Sequence, residues 1–109
     1  MTITIEELLA MLPKAFLPEK AAGVDALVRL NIVGDDGGDW SVTIKDQKCS
    51  IVKEALPNPK LTLSATADDL IEIFSGRLMG TQAFMTGRLK LTGDTGLAMR
   101  LMNFFKVDR

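Results

Sequence analysis

The chain has 109 residues, 47 % of them hydrophobic and 25 % charged, with a net charge of −1. Those totals describe one folded domain over residues 1–109 and exclude disorder, a fibrous repeat and a second core. Thirteen basic residues against fourteen acidic ones leave no cationic excess for phosphate contacts, so no nucleic-acid partner is expected.

Thr4-Ile5-Glu6-Glu7 has the spacing of a capping box. Leu8, Leu9, Met11, Leu12 and Phe16 recur at helical spacing and predict a helix from Ile5 to Ala15, which Pro13 kinks or finishes. Pro18 to Gly23 reads as a turn or one short helical turn. From Asp25 the period falls to two, and residues 27–33 predict a strand with Val28, Leu30 and Ile32 on one face. Gly34-Asp35-Asp36-Gly37-Gly38-Asp39 has the composition of a hairpin loop. Residues 40–45 follow as a strand with Trp40, Val42 and Ile44 inward. Asp46-Gln47 makes a tight turn into residues 48–53, where Cys49 and Ile51 share a side. Pro57-Asn58-Pro59 interrupts, and residues 61–65 form a fourth strand. Four short strands on tight loops predict an antiparallel meander, since parallel neighbours need long crossovers.

Thr66, with Asp68 and Asp69 behind it, opens a helix carrying Leu70, Ile71, Ile73 and Phe74, and Gly76 stops it. Residues 81–86 predict a second short helix with Ala83, Phe84 and Met85, ending at Gly87. Residues 88–92 alternate as a fifth strand. Gly93-Asp94 then caps a last helix that reaches about Phe105. Its Leu97, Ala98, Met99, Leu101, Met102, Phe104 and Phe105 exceed the stripe that a one-sided helix buries. The order α-ββββ-α-α-β-α predicts an α+β fold with helices on one face of the sheet.

Catalytic signals are sparse. There is no histidine and no tyrosine, and Cys49 is the single cysteine. The commonest general base, the commonest soft metal ligand and every Ser–His or Cys–His pair are therefore missing, and no cofactor is expected. Asp94-Thr95-Gly96 is the aspartic-protease triplet, but that chemistry needs two carboxylates on symmetric loops. Here the triplet opens a helix late in the chain, so a capping Asp accounts for it. Asp35, Asp36 and Asp39 lack the alternating acids and twelfth-position Glu of a calcium loop. Asp68 and Asp69 read as helix-start residues, and Cys49 as a small apolar strand residue. What is left is apolar excess at Phe84, Met85 and residues 97–105, together with six methionines, whose thioethers suit adaptable binding surfaces. A core face or a dimer face accounts for the same periodicity. An enzyme working through Asp, Glu and Lys alone, on an acyl thioester, is a further reading.

The first residues carry no basic n-region and no apolar run approaches the ~20 residues of a membrane span. The ending Val107-Asp108-Arg109 is unlike a Ser-Lys-Leu peroxisomal address. A cytoplasmic protein without a transmembrane segment is expected, with transient membrane contact through the first helix left open.

Several blocks together resemble the sterol carrier protein type 2 family, or sterol-binding domain. They are residues 16–23, residues 40–46 followed by Lys48-Cys49, and residues 58–63. The most specific are residues 82–91, followed by Gly93-Asp94 and Gly96-Leu97-Ala98. Met79-Gly80-Thr81 departs from the Asn-Pro or Asp-Pro usual before the Gln82 motif. The resemblance implies a five-stranded, mainly antiparallel sheet with helices covering one face and an apolar tunnel between. It also implies a non-catalytic carrier of a fatty acid, fatty acyl-CoA or sterol. Carried over as ligand-binding are Gln82, Phe84 and Met85 from one helix and Leu101, Met102 and Phe105 from the C-terminal one. Gln82 is expected at the opening as a polar contact. A charged head group would call on Arg77, Arg88, Lys90, Arg100 or Lys106.

Overall fold

The computed structural model describes residues 4–34 and 37–105, with Met102 in its backbone alone. Helix α1 (Ile5–Ala15) begins at the capping box: the Thr4 N–H donates to Glu7 Oε1 at 2.9 Å and the Glu7 N–H donates to Thr4 Oγ1 at 3.1 Å. Its apolar stripe, Ile5, Leu8, Leu9 and Leu12, is buried, so this face is committed to the core. Pro13 falls in the last turn, and the chain leaves the helix extended at Phe16.

A 3₁₀ turn (Pro18–Ala21) leads to β1 (Ala26–Val33), β2 (Gly38–Lys45), β3 (Lys48–Val52) and β4 (Leu61–Thr66). Then come α2 (Ala67–Phe74), α3 (Gly80–Met85), β5 (Lys90–Gly93), α4 (Thr95–Leu101) and a closing 3₁₀ turn (Met102–Phe104). Asp46 and Gln47 both hold positive φ, 53° and 59°, and Lys45 pairs with Lys48: this is the two-residue hairpin geometry that matches the twist of the strands. Of the expected loop acids, Asp35 and Asp36 lie outside the described residues, while Asp39 accepts from Asn31 Nδ2 at 2.8 Å.

The fold is α+β, with a five-stranded sheet in the order β3-β2-β1-β4-β5. Strands β1 to β3 form the expected meander, but β4 does not continue it. It pairs with β1 in parallel, Val28 opposite Leu61 through Val33 opposite Thr66. β3 and β4 therefore run the same way, three strand spacings of about 4.8 Å apart. The eight residues 53–60 can reach about 27 Å when extended, enough to cross that width and return to the start of a strand. They do so over the polar face of the sheet, without a helix. Side chains hold them there: Ser41 Oγ donates to the Glu54 carbonyl at 2.6 Å and accepts from the Leu56 N–H at 3.0 Å. Arg29 Nη2 donates to the Leu56 carbonyl at 2.7 Å.

The other face carries the core. Val28, Leu30 and Ile32 are buried there with Val42, Ile44, Leu61, Leu63 and Ala65. α1 packs on β3 and α2, α2 on β4, and α4 on β4 and β5. Trp40, expected inward, is only half-buried, with the Lys53 ammonium 5.5 Å from its ring.

The last helix is shorter than its apolar run predicts. The α-helix ends at Leu101, and Phe105 turns extended and bridges Phe16. Aromatic packing explains the break. The Phe105 ring sits 5.6 Å from Phe16 and 6.0 Å, edge on, from Phe74, which continued helix would not allow.

Candidate functional site

The C-terminal end of α2 begins one wall of a cavity. Gly76 holds φ +80°, where a side chain is strained, and its N–H donates to the Ile73 carbonyl at 3.1 Å. The chain reverses there into residues 77–79 and enters α3. That helix is seated by its one buried residue, Ala83, whose carbonyl accepts from the N–H groups of Arg88 and Leu89 at 2.8 and 3.1 Å. With Ala83 facing the core, Phe84 and Met85 are left facing out.

Between α2, α3, β5 and α4 lies an open cavity of about 830 Å³. Its buried floor is Leu63, Ile73, Phe74, Ser75, Leu89 and Phe105. Its exposed mouth is Met79, Phe84, Met85 and Met99, with Met85 84 % exposed. No charged side chain lines it among the described residues; Ser75, Thr81 and Thr95 are the polar side chains in its wall.

The opposite wall is set by the Asp-Thr-Gly triplet, which is a helix cap. Asp94 Oδ1 accepts from the Leu97 N–H at 3.0 Å, and the Asp94 N–H donates to the Lys60 carbonyl at 2.9 Å. This places Leu97 and Leu101 inward and Ala98 and Met99 on the cavity side. The apolar excess thus has two destinations, a core face and a cavity wall.

Of the six residues carried over, Phe84, Met85 and Phe105 line this cavity. Gln82 does not: it is exposed on α3, away from the wall. Leu101 is buried in the core and also does not reach the cavity. The Met102 side chain lies outside what the structure describes. The mouth residues Met79 and Met99 and the floor residues Ser75, Leu63 and Leu89 were not singled out individually as ligand contacts. They come from β4, α4, the end of α2 and the segments before α3 and β5, and sequence spacing does not report which of these share a cavity. The usable signal is the apolar pair Leu78-Met79 outside any periodic element, of which Leu78 is half-buried and Met79 exposed.

The named cations are also elsewhere. Arg77 Nε is 2.7 Å from Glu72, Arg88 Nε donates to Asp69 at 3.0 Å, and the Arg100 guanidinium is 5.7 Å from the Phe104 ring. Lys90 is exposed on β5 and outside the cavity wall, and Lys106 lies outside the described residues. Cys49 is on β3, beyond the cavity, and burial pushes its thiol up to about 11. Among the described residues no helix is long and apolar enough to cross a membrane.

Comparison with known proteins places this geometry. Human hydroxysteroid dehydrogenase-like protein 2 is 30 % identical over 98 residues, which cover 89 % of this chain and 23 % of that protein. The chain thus spans about a quarter of the length of this relative. The sec-alkylsulfatase Pisa1 from Pseudomonas sp. superposes with a TM-score of 0.87 at 19 % identity, over 98 % of this chain and 17 % of that one. Sterol carrier protein-2 from Aedes aegypti, solved in complex with the C16 fatty acid palmitate, superposes with a TM-score of 0.71 at 21 % identity, over 97 % of this chain and all of that one. The sequence model of the SCP-2 sterol transfer family matches residues 5–106, nearly the whole chain, and the chain belongs to that family.

Proposed function

We propose that this chain is a non-catalytic lipid carrier that holds the hydrocarbon of a fatty acid, fatty acyl-CoA or sterol in the cavity between α2, α3, β5 and α4. The observation that carries this reading is the cavity itself: about 830 Å³, bordered by apolar side chains and free of charge among the described residues. That volume lies in the range of small-molecule sites, ~300–1,000 Å³. Burying a sixteen-carbon chain gains about 12 kcal/mol gross at roughly 0.8 kcal/mol per methylene. Lost translation and chain freedom offset several kcal/mol or more, leaving micromolar to nanomolar affinity. Walls of this kind discriminate weakly, because one methylene more or less changes little, so broad selectivity follows. The palmitate held by the Aedes aegypti protein supports the acyl-chain reading.

A charged head group belongs at the mouth, where water reaches it, since the wall has no cation to meet it. The exposed Met79, Phe84, Met85 and Met99 then form an apolar rim through which the chain enters, and which suits transient contact with a membrane surface. The dehydrogenase-like name of the human relative belongs to a protein of which this chain matches 23 %. The test is native mass spectrometry of gently purified protein, followed by titration with a fluorescent fatty acid. A co-purifying fatty-acid mass and saturable uptake are expected. Bare protein that takes up no probe overturns the reading.

A further inference from the structure

Ser75 is out of keeping with its surroundings. It is 7 % exposed, the single polar residue on a floor otherwise made of Leu63, Ile73, Phe74, Leu89 and Phe105. Its backbone N–H is used, donating to the Ile71 carbonyl at 2.9 Å as α2 ends. Its hydroxyl forms no hydrogen bond with any described residue. Thr81 and Thr95, the other hydroxyls of the wall, are exposed. Its oxygen is not sealed off and opens on the cavity, so a lipid that displaces water from the cavity leaves it without a partner unless the lipid supplies one. The position does not demand serine for its backbone, since φ −80° and ψ −6° are open to any residue.

We infer that Ser75 is a specificity-determining residue for the lipid, there to hydrogen-bond an uncharged oxygen, a hydroxyl or carbonyl, on the part of the ligand that reaches the floor. The inference rests on the lipid-carrier reading and narrows it. A carboxylate is the wrong partner at this depth. It would leave water for one neutral donor, beside the C-terminal end of α2, whose dipole repels negative charge. A neutral hydroxyl can exchange its water for the Ser75 hydroxyl at little loss. A bare hydrocarbon end gains nothing from Ser75 and leaves its hydroxyl dry.

The test pairs dodecanoic, tetradecanoic and hexadecanoic acids with their ω-hydroxy derivatives, each displacing a fluorescent fatty acid from the wild type, Ser75→Ala and Ser75→Thr. With the carboxylate at the mouth, the ω-hydroxyl is the group delivered to the floor. For at least one chain length, Ser75→Ala is expected to weaken the ω-hydroxy acid about tenfold. The parent acid should stay within about twofold or bind more tightly, and Ser75→Thr, which keeps the hydroxyl, should retain the preference. Equal effects of Ser75→Ala on both members of every pair overturn the assignment while leaving the carrier reading intact. Failure of every acid to displace the probe from the wild type overturns both.

Discussion

Gly93 shows how a single residue can hold two elements together. It sits at φ +107° where β5 ends, and a Cβ there would collide with the Lys60 carbonyl oxygen and lie 3.2 Å from Leu61 Cα. Backbone on both sides leaves nothing flexible to move aside. Gly93→Ala is expected to lower stability by about 2–4 kcal/mol, read as a fall in the denaturant midpoint at unchanged slope. Cys49 makes a different prediction. Burial disfavours its thiolate and pushes the pKa up to about 11 from 9.0. Alkylation by iodoacetamide at pH 8 should therefore be slower than that of a free thiol, and should accelerate as the pH approaches 11. Between pH 9 and 11 the unfolded chain releases this proton more readily than the folded one, so the Cys49 contribution to stability is full below pH 9 and falls as the pH rises. A Cys49→Ala variant should lose that part of the pH dependence.

At the scale of elements, the crossover after β3 decides the topology. Its support is concentrated on Ser41, which is fully buried and bonded to both Glu54 and Leu56. Ser41→Ala removes both bonds and leaves backbone groups short of partners, so a loss of about 2 kcal/mol in thermal or chemical unfolding is expected. Thr4→Ala, which removes a cap on an exposed helix end, should cost about 1 kcal/mol. A Ser41 effect no larger than the Thr4 effect would show that the crossover is held by its own chain and not by the sheet beneath it. The local signals at these elements were legible because they act over three or four residues: the Thr4 box, the Thr66 cap and the Asp46-Gln47 turn all form as their spacing predicts. The parallel pairing of β4 was not legible, because Ser41 and Arg29 lie far from residues 53–60 in sequence and nothing in their spacing announces the contact.

For the whole molecule, the cavity and the core compete for the same apolar residues. Leu97, Leu101, Phe104 and Phe105 are buried within the chain, leaving Met99 as the exposed large apolar side chain among the described residues of that stretch. A second copy is not needed to cover them, and light scattering across concentrations should report a monomer. Ala98 borders the cavity from α4. Ala98→Trp should fill part of the space and weaken fatty-acid uptake at least about tenfold, with little change in the unfolding midpoint, because the new side chain enters a void. Leu101→Ala should do the reverse: it opens the packed core and costs about 2–5 kcal/mol of stability while the cavity wall keeps its residues.

The division between what the chain declares and what only its folding reveals follows the range of the forces involved. Periodicity, caps and turn chemistry are local, and they determined most of the elements and the inward face of β1, while the family was read from the resemblance of several sequence blocks together. Three of the candidate site residues, Phe84, Met85 and Phe105, were legible as apolar excess that a one-sided helix cannot bury. Tertiary structure alone decided which of that excess fills the core, as Leu101 does, and which surrounds a space, as Met99 does. It also turned Phe105 out of helix and onto Phe16 and Phe74, and it left Gln82 outside and Ser75 within. The reason is physical: apolar transfer from water is non-directional, so a sequence can state that a side chain must be covered but not what will cover it.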